Sequence, residues 1–475
     1  MIFNSFLFLW LFPLLFILYY GITYAFNKKW NKTGNAILLI ISYLLYMNWK
    51  PAYALLLIGI TAITYLAARH IEQNSKKNKG LIYASVTLTL LPLLIFKYYN
   101  FINTTITEAL TEIGLHWNLP GLNWAVPVGI SFFTFQALGY LWDVYYGRIK
   151  AERNWWDYML FVSFFPQIAS GPISKAADLL PQIKAERAFD YSKAVQGLKW
   201  LLWGMFLKVV LADRLGLYVD SVYNNFTYQS GLSCLVASIL YSFQIYGDFA
   251  GYSLMAIGTG RLLGFDLINN FNRPYLSVSV TEFWRRWHIS LSIWLKDYIY
   301  IPLGGSRCSK LRNYWNILIT FLVSGIWHGA NWTFIVWGLL HGIFQIIEKA
   351  LNLQKSTIKG GIRIFRIIIT FCLVNFAWIF FRMPSFKDGI QVITKIFTDF
   401  HSNQLFIPEK DICLYILIGL VCVITKDYFE EFYPKIKLPF NHSSIVIRYL
   451  SYTITIIAIL AIGVLDSSTF IYFQF

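Results

Sequence analysis

Apolar residues in this chain come in long runs, and short polar stretches separate one run from the next. Such runs are typical of helices that cross a bilayer, which need ~20 residues, and we expect the shorter ones to extend into flanking aromatic residues. The runs are Phe6–Phe26, Ala36–Trp49, Ala52–Ala68, Leu81–Phe96, Trp124–Tyr146, Leu198–Leu211, Cys234–Ile245, Trp315–Trp327, Trp332–Ile347, Ile364–Phe381, Ile412–Thr425 and Ile447–Val464. This pattern predicts an all-α, polytopic membrane protein with about 11–12 transmembrane helices.

Two further stretches are apolar but are interrupted too often to be simple spans. Trp155–Ile173 contains Pro166, Gly171 and Pro172, and Tyr252–Gly305 mixes apolar residues with many charges. Irregular backbone is tolerated at membrane depth only where protein or a water-filled cavity surrounds it. We therefore predict re-entrant helices in both stretches, and we expect them to carry the function.

The composition also indicates a lipid environment. Hydrophobic residues make up 57% of the 475 residues and charged residues 13%, which is about half the charged share of a soluble protein. The net charge is +16, but the basic residues are scattered over short loops, which argues against nucleic-acid binding. The loop Tyr98–Asn123 has no Lys or Arg, so the positive-inside rule places it outside. Basic inner loops could attract an acidic donor such as coenzyme A or an acyl carrier protein.

Several common kinds of chemistry have no signature in the sequence. The five cysteines fit neither a zinc site nor a disulfide framework. A serine elbow, a P-loop and a dinucleotide fingerprint are also missing. The sequence therefore disfavours an ATP-driven pump and a redox enzyme, and we expect no bound cofactor or metal.

A helix is predicted to begin at Ser279, since Ser279 and Glu282 match a capping box. If that helix continues without a break, Trp284, His288 and Ser292 share one of its faces. The prediction places a histidine on one face of a helix inside the second re-entrant stretch.

The basic pair Arg285 and Arg286 precedes this histidine and points away from its face. A histidine between basic residues near the inner surface could meet an anionic acyl donor. The alternative is an interfacial helix whose arginines extend to the surface and whose His288 is an ordinary polar residue.

His328 lies between the runs Trp315–Trp327 and Trp332–Ile347. Gly329 is a natural residue to end the first helix, and Asn331 is a natural N-cap for the second. An ionisable side chain between two apolar runs is costly unless it has a role, and histidine suits a general base. The alternative is a hydrogen-bonded histidine at a helix end that interacts with the helix dipole.

Three other ionisable groups lie in apolar surroundings. His341 is flanked by Gly338 and Gly342, which indicates close helix packing; it could support a catalytic group or be a satisfied core histidine. Asp248 and Asp143 each stand at the end of an apolar run. Each could pair with a basic residue of the re-entrant stretches, and we favour a structural ion pair for both.

Several motifs resemble the membrane-bound O-acyltransferase family, in particular its bacterial branch that contains the alginate O-acetylation membrane protein. They follow one another in family order between Trp124 and Phe381. The matching stretches are Ser131–Tyr140, Phe164–Ile173, Asp248–Tyr252, Met255–Gly258, Asn270–Tyr275, Glu282–Gly305, Trp327–Trp332 and Trp337–Gly342.

This resemblance implies a re-entrant helical core around a tunnel through the bilayer. It implies one membrane domain over 1–475, with peripheral spans in 1–120, a catalytic core in about 124–381 and further spans in 382–475. It also implies transfer of an acyl group from a cytoplasmic thioester toward an extracytoplasmic acceptor. We expect the acyl group to be acetyl and the donor to be acetyl-CoA or an acyl carrier thioester. The membrane would be the inner membrane of a bacterium. In this family His328 is the expected catalytic residue, and His288 is the second essential position.

We expect six residues around these histidines to contact substrates: Arg285, Arg286, Trp284, Trp327, Asn331 and Asp248. No extramembrane stretch is long enough to form a sugar-binding surface. The resemblance implies that such membrane proteins work with separate extracytoplasmic transferases. We therefore expect an extracytoplasmic acetyltransferase as partner and a polysaccharide as acceptor.

Other functions stay open at this point. Peptidoglycan is an alternative acceptor to an alginate-like exopolysaccharide. A transporter of polysaccharide or lipid-linked sugar is a rival of another class, and its mark would be inverted repeats or paired broken helices. A structural scaffold would not need histidines and arginines clustered in re-entrant stretches.

Overall fold

The structure is a computed structural model, and it describes residues 3, 6–25, 31–73, 79–115, 119–169, 171–354, 358–399, 404–465 and 471. All regular elements among these residues are helices. The backbone packs into two compact units, the first mainly residues 6–194 and 260–267, and the second mainly 195–259 and 268–475. The prediction of a single domain over the whole chain stays a prediction.

The first unit contains nine helices in its described residues: α1 Phe6–Ala25, α2 Asn31–Met47, α3 Tyr53–Gln73, α4 Lys79–Leu93, α5 Tyr99–Glu112, α6 Ile130–Tyr145, α7 Trp155–Ser163, α8 Phe165–Ile168 and α9 Ala176–Lys184. A buried polar network joins α6 to the stretch after α7. Gln167 donates to the Gln136 side-chain oxygen over 2.9 Å and accepts from Ser174 over 2.7 Å. Because these buried amides have partners, the broken backbone here is held in one arrangement.

The second unit contains most of α10 Tyr191–Met205, followed by α11 Asp213–Tyr223, α12 Gly231–Leu262, α13 Val280–Arg286, α14 Ile289–Leu295, α15 Lys310–His328, α16 Trp332–Ala350, α17 Gly361–Arg382, α18 Phe386–Thr398, α19 Lys410–Phe432 and α20 Ile445–Ile462. A π-helical segment, Phe206–Ala212, joins α10 to α11 without a break. Helix α13 is short and α14 follows it closely, as expected for a re-entrant stretch.

Seven helical stretches of the described chain are long and apolar enough to cross a membrane, and shorter apolar stretches lie in α1 and α2. The three remaining predicted runs overlap α6, α15 and α16. The prediction of an all-α, multi-pass membrane protein is therefore confirmed. Some boundaries were wrong. The run expected to end near Asp248 is part of α12, which covers 32 residues from Gly231 to Leu262. The predicted outer loop Tyr98–Asn123 contains α5, and the run that was expected from Trp124 is helical only from Ile130.

Asp248 can lie in mid-helix because a cation faces it. Lys208, in the π-helical segment, places its ammonium 2.6 Å from Asp248 and 2.7 Å from Asp213, and all three side chains are at most 5% exposed. The expected ion pair is confirmed, but the expected partner was wrong, since Lys208 lies outside the re-entrant stretches. Asp143 likewise pairs with Arg148, at 3.0 Å, just beyond its own helix.

Helices α15 and α16 form a hairpin whose two backbones touch. A β-carbon on Gly338 would lie 2.4 Å from the Phe321 carbonyl oxygen, and one on Gly325 would lie 2.4 Å from that of Phe334. Small residues permit such close approach, and each methyl group added there would push the helices apart. The close packing that Gly338 and Gly342 predicted is confirmed.

We expect Gly338→Ala to destabilise the protein by about 1–3 kcal/mol, because the new methyl group overlaps backbone atoms that cannot rotate away. Thermal unfolding of the purified protein in detergent measures the loss. Gly59→Ala is the matched control, since Gly59 also lies in an apolar helix but has no atom within 4 Å of an added β-carbon. Equal melting temperatures for the two variants would contradict the packing argument.

Candidate functional site

His328 occupies the last residue of α15, at a turn built by its neighbours. Asn331 caps α16 by accepting from the Thr333 amide over 3.0 Å, as predicted. Gly329 follows the helix with an extended backbone and not the left-handed one expected of a terminal glycine. Glycine is required there for another reason, since a β-carbon would lie 2.1 Å from the Phe334 ring. The turn therefore fixes His328 against the start of α16.

Aromatic rings surround the His328 imidazole, which is only 2% exposed. The ring centroids of Trp337, Trp327 and Phe381 lie 4.8, 4.9 and 5.3 Å from it. Trp337 comes from α16 and Phe381 from the end of α17. An imidazole among indoles and phenyl rings is shielded from bulk water, which suits transfer of a group that water would hydrolyse.

His288 does not lie on one helix with Trp284 and Ser292, so that prediction was wrong. Ser279 does cap α13 by accepting from the Glu282 amide over 3.0 Å, but α13 ends at Arg286. His288 has left-handed backbone angles, φ 43° and ψ 54°, and begins a new helix. Such a conformation is unfavourable for a residue with a side chain, and it is often found at functional sites.

The hydrogen bonds of Asn270 define the tautomer of His288. The Asn270 side-chain oxygen accepts from the Ser290 backbone amide over 3.1 Å, and His288 Nδ1 lies 3.2 Å from the same oxygen. An amide oxygen can only accept, so Nδ1 must carry a proton. When the ring is neutral, this arrangement leaves a lone pair on Nε2.

The two histidines come together although forty residues separate them in the sequence. Their ring centroids are 6.4 Å apart. Trp327 contacts both, with centroid distances of 5.8 Å to His288 and 4.9 Å to His328. All three side chains are buried in the second unit. The structure thus assembles the predicted histidines and one predicted substrate-binding residue into a single site.

The predicted arginines lie in different surroundings. Arg286 is held by carboxylates: it pairs with Glu282 at 2.6 Å and with Glu431 at 2.9 Å, and Arg363 binds the same Glu431 at 2.7 Å. Arg285 is exposed. Arg286 therefore ties helices together, and a role for either arginine in binding an acyl donor stays a prediction.

The remaining predicted residues are also engaged by protein groups. The Trp284 indole donates to Nδ1 of His341 over 3.2 Å. The Asn331 amide donates to the Pro384 carbonyl over 2.7 Å, which fastens the His328 turn to the corner after α17. Asp248 is paired with Lys208. The described contacts of these three residues are with protein groups, and their contacts with substrates stay a prediction.

Contributors to the site that were not assigned from the sequence include Asn270, Trp337 and Phe381. Asn270 and Trp337 stand in motifs that carried the family resemblance, so their place in the sequence was a usable signal. Phe381 ends an apolar run and had no signal of its own. Within the described residues no cluster of three His, Cys, Asp or Glu side chains is placed to hold a metal ion.

The helices and the paired imidazoles define a multi-pass membrane protein with a water-shielded histidine site. The chain belongs to the membrane-bound O-acyltransferase family, whose model matches residues 151–386. That range includes both histidines, and the protein is accordingly an O-acyltransferase.

Relatives along most of the chain agree with this assignment. A probable alginate O-acetylase of Pseudomonas aeruginosa is 37% identical over 84% of this chain and 75% of its own length. A probable alginate O-acetylase of Pseudomonas putida is 32% identical over the whole of both chains. A peptidoglycan O-acetyltransferase of Helicobacter pylori is 36% identical over 83% of this chain and 79% of its own length.

We expect Asn270→Ala to lower the acyl-transfer rate by about 10–100-fold, because the group that holds the His288 proton on Nδ1 is lost. Single-turnover transfer from a labelled thioester measures the rate. Ser253→Ala is the matched control, since it removes only the 3.2 Å hydrogen bond from the Asn270 amide to Ser253. If the two variants transferred at the same rate, the orienting role of Asn270 would be refuted.

Proposed function

We propose that this protein takes an acetyl group from a cytoplasmic thioester, acetyl-CoA or an acyl carrier, and passes it across a bacterial inner membrane toward a secreted or cell-wall polysaccharide. The observation that carries the proposal is the buried pair His288 and His328 with ring centroids 6.4 Å apart. Relatives of this chain are named as alginate and peptidoglycan O-acetylating enzymes, and these names support acetyl as the acyl group and a glycan as the acceptor.

The chemistry needs one proton acceptor. A hydroxyl oxygen attacks the thioester carbonyl carbon, the carbon–sulfur bond breaks, and the hydroxyl proton ends on the leaving thiolate, which gives an ester and a thiol. His328 is the better base of the two histidines, because it lies at the carboxyl end of α15, where the helix dipole favours the imidazolium.

His288 is assigned the supporting role. It stands at the amino end of α14, where the helix dipole disfavours a positive charge, so it is the weaker base. With the proton held on Nδ1 by Asn270, its Nε2 lone pair can accept a hydrogen bond. We assign it to hold the protonated His328 or the reacting hydroxyl in place.

The donor side is proposed to be the face that carries α13. Arg285 is exposed there, and Arg286 and Arg363 lie close by around Glu431. Coenzyme A and the prosthetic group of acyl carriers are anionic, so a basic face raises their local concentration. The orientation follows the positive-inside rule, which places this basic face in the cytoplasm.

A separate extracytoplasmic acetyltransferase is proposed to complete the reaction. The two stretches expected on the outer face, Tyr98–Asn123 and Pro384–Asp411, contain the helices α5 and α18 in their described residues and are too short to form a sugar-binding domain. Recognition of a polymer requires a concave surface with several converging polar groups. A partner that docks at the outer face and takes the acetyl group near His328 would supply that surface.

Peptidoglycan is the second candidate acceptor, because the relative with that printed specificity is nearly as similar as the alginate enzymes, at 36% against 37% identity. Both acceptors are glycans with free hydroxyl groups outside the cytoplasmic membrane. The same chemistry at the histidines can acetylate either glycan. The partner protein, and not the histidine pair, therefore determines which glycan is the acceptor.

The test is reconstitution of the purified chain in proteoliposomes. Labelled acetyl-CoA or an acetylated carrier protein is supplied on one side, and alginate or peptidoglycan fragments on the other. We expect label to leave the thioester and reach the glycan only when the cognate transferase is added. Efficient glycan acetylation by the chain alone would disprove an obligatory partner. No loss of label from either thioester under any condition would disprove the proposed donor.

A further inference from the structure

His341 is a third buried histidine, and the site described above does not use it. It lies in α16, is 0% exposed, and stacks at 6.2 Å on the Phe283 ring. Trp284 donates its indole N–H to Nδ1 over 3.2 Å. An indole can only donate, so Nδ1 is an acceptor and the proton of the neutral ring sits on Nε2. His341 and His288 are thus held as opposite tautomers.

The Nε2–H group of His341 has no hydrogen-bond partner among the described residues, although it is buried. The same holds for the indole N–H of Trp337 and the hydroxyl of Ser324, both fully buried on the α15–α16 hairpin. Trp337 lies 5.0 Å from His341 and 4.8 Å from His328 between ring centroids. Ser324 precedes His328 by one helical turn and shares its face. A buried donor without an acceptor needs an explanation, and a bound ligand is one.

The chemistry of these groups identifies what they would bind. All three can donate a hydrogen bond and none of them is a cation. Aromatic rings surround His341 and Trp337. They suit a neutral carbonyl oxygen better than a phosphate or a carboxylate, which would need a counter-charge in such surroundings. The amide carbonyls of a pantetheine arm, common to coenzyme A and acyl carriers, are such acceptors on a slender chain.

The position of His341 indicates which carbonyl group of the donor it would bind. His341 follows Trp337 by one turn of α16. It therefore lies ~5 Å farther than Trp337 from the turn that holds His328. The thioester carbonyl must react beside His328, whereas the arm trails behind it. We propose that His341 Nε2–H binds an amide carbonyl of the pantetheine arm of the acyl donor and so positions the thioester at His328. This inference rests on the proposed thioester donor.

Two substitutions separate a donor-binding role from a packing role. His341→Phe keeps the ring and its stacking but removes the N–H, whereas His341→Gln keeps an N–H donor but removes the ring. With S-acetyl-pantetheine as substrate, we expect His341→Phe to raise KM by about tenfold to a hundredfold with kcat little changed. His341→Gln should recover most of that loss. The reverse order, with His341→Phe near wild type and His341→Gln impaired, would overturn the proposal, and so would equal impairment of both.

A truncated donor provides the second readout. S-ethyl thioacetate carries the same acetyl thioester but has no amide, so wild type and His341→Phe should use it equally well. If His341→Phe does not fold, His341→Met replaces it, since methionine fills an irregular buried space but has no N–H group. It should raise KM for S-acetyl-pantetheine only. An equal effect on both donors would overturn the inference, whereas a wild type inactive with every thioester would instead disprove the proposed function.

Discussion

His328→Ala is expected to abolish acyl transfer, with a loss of about 10²–10⁴-fold, because it removes the proposed general base and leaves only the weaker base, His288, nearby. The fold should survive, since alanine is compatible with the last turn of α15 and only one buried ring is lost. The measurement is single-turnover release of labelled acetyl from a thioester donor by the purified variant in detergent or proteoliposomes.

His70→Ala is the control for this substitution. His70 is an exposed histidine in the last turn of α3, so it has the same side chain without the buried aromatic surroundings. It should keep the wild-type rate. A His328→Ala protein that transferred within about tenfold of the wild-type rate would show that another group accepts the proton. A melting temperature near that of the wild type is required for either result to count.

Lys208→Met is expected to cause the largest loss of stability, about 3–5 kcal/mol, because it removes the only cation that the described contacts place between Asp213 and Asp248. Methionine keeps most of the volume, so the effect reports charge and not a cavity. Asp248 also accepts from the Ile471 backbone amide over 2.8 Å, but a neutral donor does not replace an ammonium group. Thermal unfolding and the yield of monodisperse protein in detergent measure the change.

Lys193→Met offers a matched comparison, since Lys193 and Asp266 form a lysine–aspartate pair at 2.9 Å with both side chains at least 40% exposed. Its loss should change stability by no more than about 1 kcal/mol. A triple variant that combines K208M with D213N and D248N should restore most of the stability that K208M loses, because no uncompensated charge remains in the buried cluster. Equal destabilisation by K208M and K193M would show that the buried charges are solvated in another way.

The membrane architecture could be predicted from the sequence because the apolar content of a span is a local property. Each of the twelve apolar runs overlaps a helix. The extent of α12 could not be predicted in this way. Asp248 resembled the end of a run, since the residue that compensates its charge, Lys208, lies forty positions earlier in the chain. A lysine inside a predicted span was the signal, but its partner becomes visible only in three dimensions.

The candidate site could likewise be predicted from the sequence only in part. The turn after His328 followed from Asn331, whose N-cap role depends on neighbours in the sequence. The break at His288 did not follow, because distant contacts cause it: the Ile289 amide donates to the Asn270 carbonyl over 2.9 Å, and the Asn270 side chain binds Ser290. Helical periodicity assumes that the local backbone pattern continues, and here tertiary hydrogen bonds override it.

The left-handed backbone at His288 does not make glycine the more stable choice at this position. Glycine would relieve strain of about 1 kcal/mol, but it would also replace a fully buried ring with a cavity, at a cost of about 3 kcal/mol or more. Screens that select for heat resistance alone should therefore retain this histidine. The same reasoning applies to gene duplicates: a copy that no longer carries out the reaction still needs the histidine for its fold, so the presence of His288 alone does not show that a copy is active.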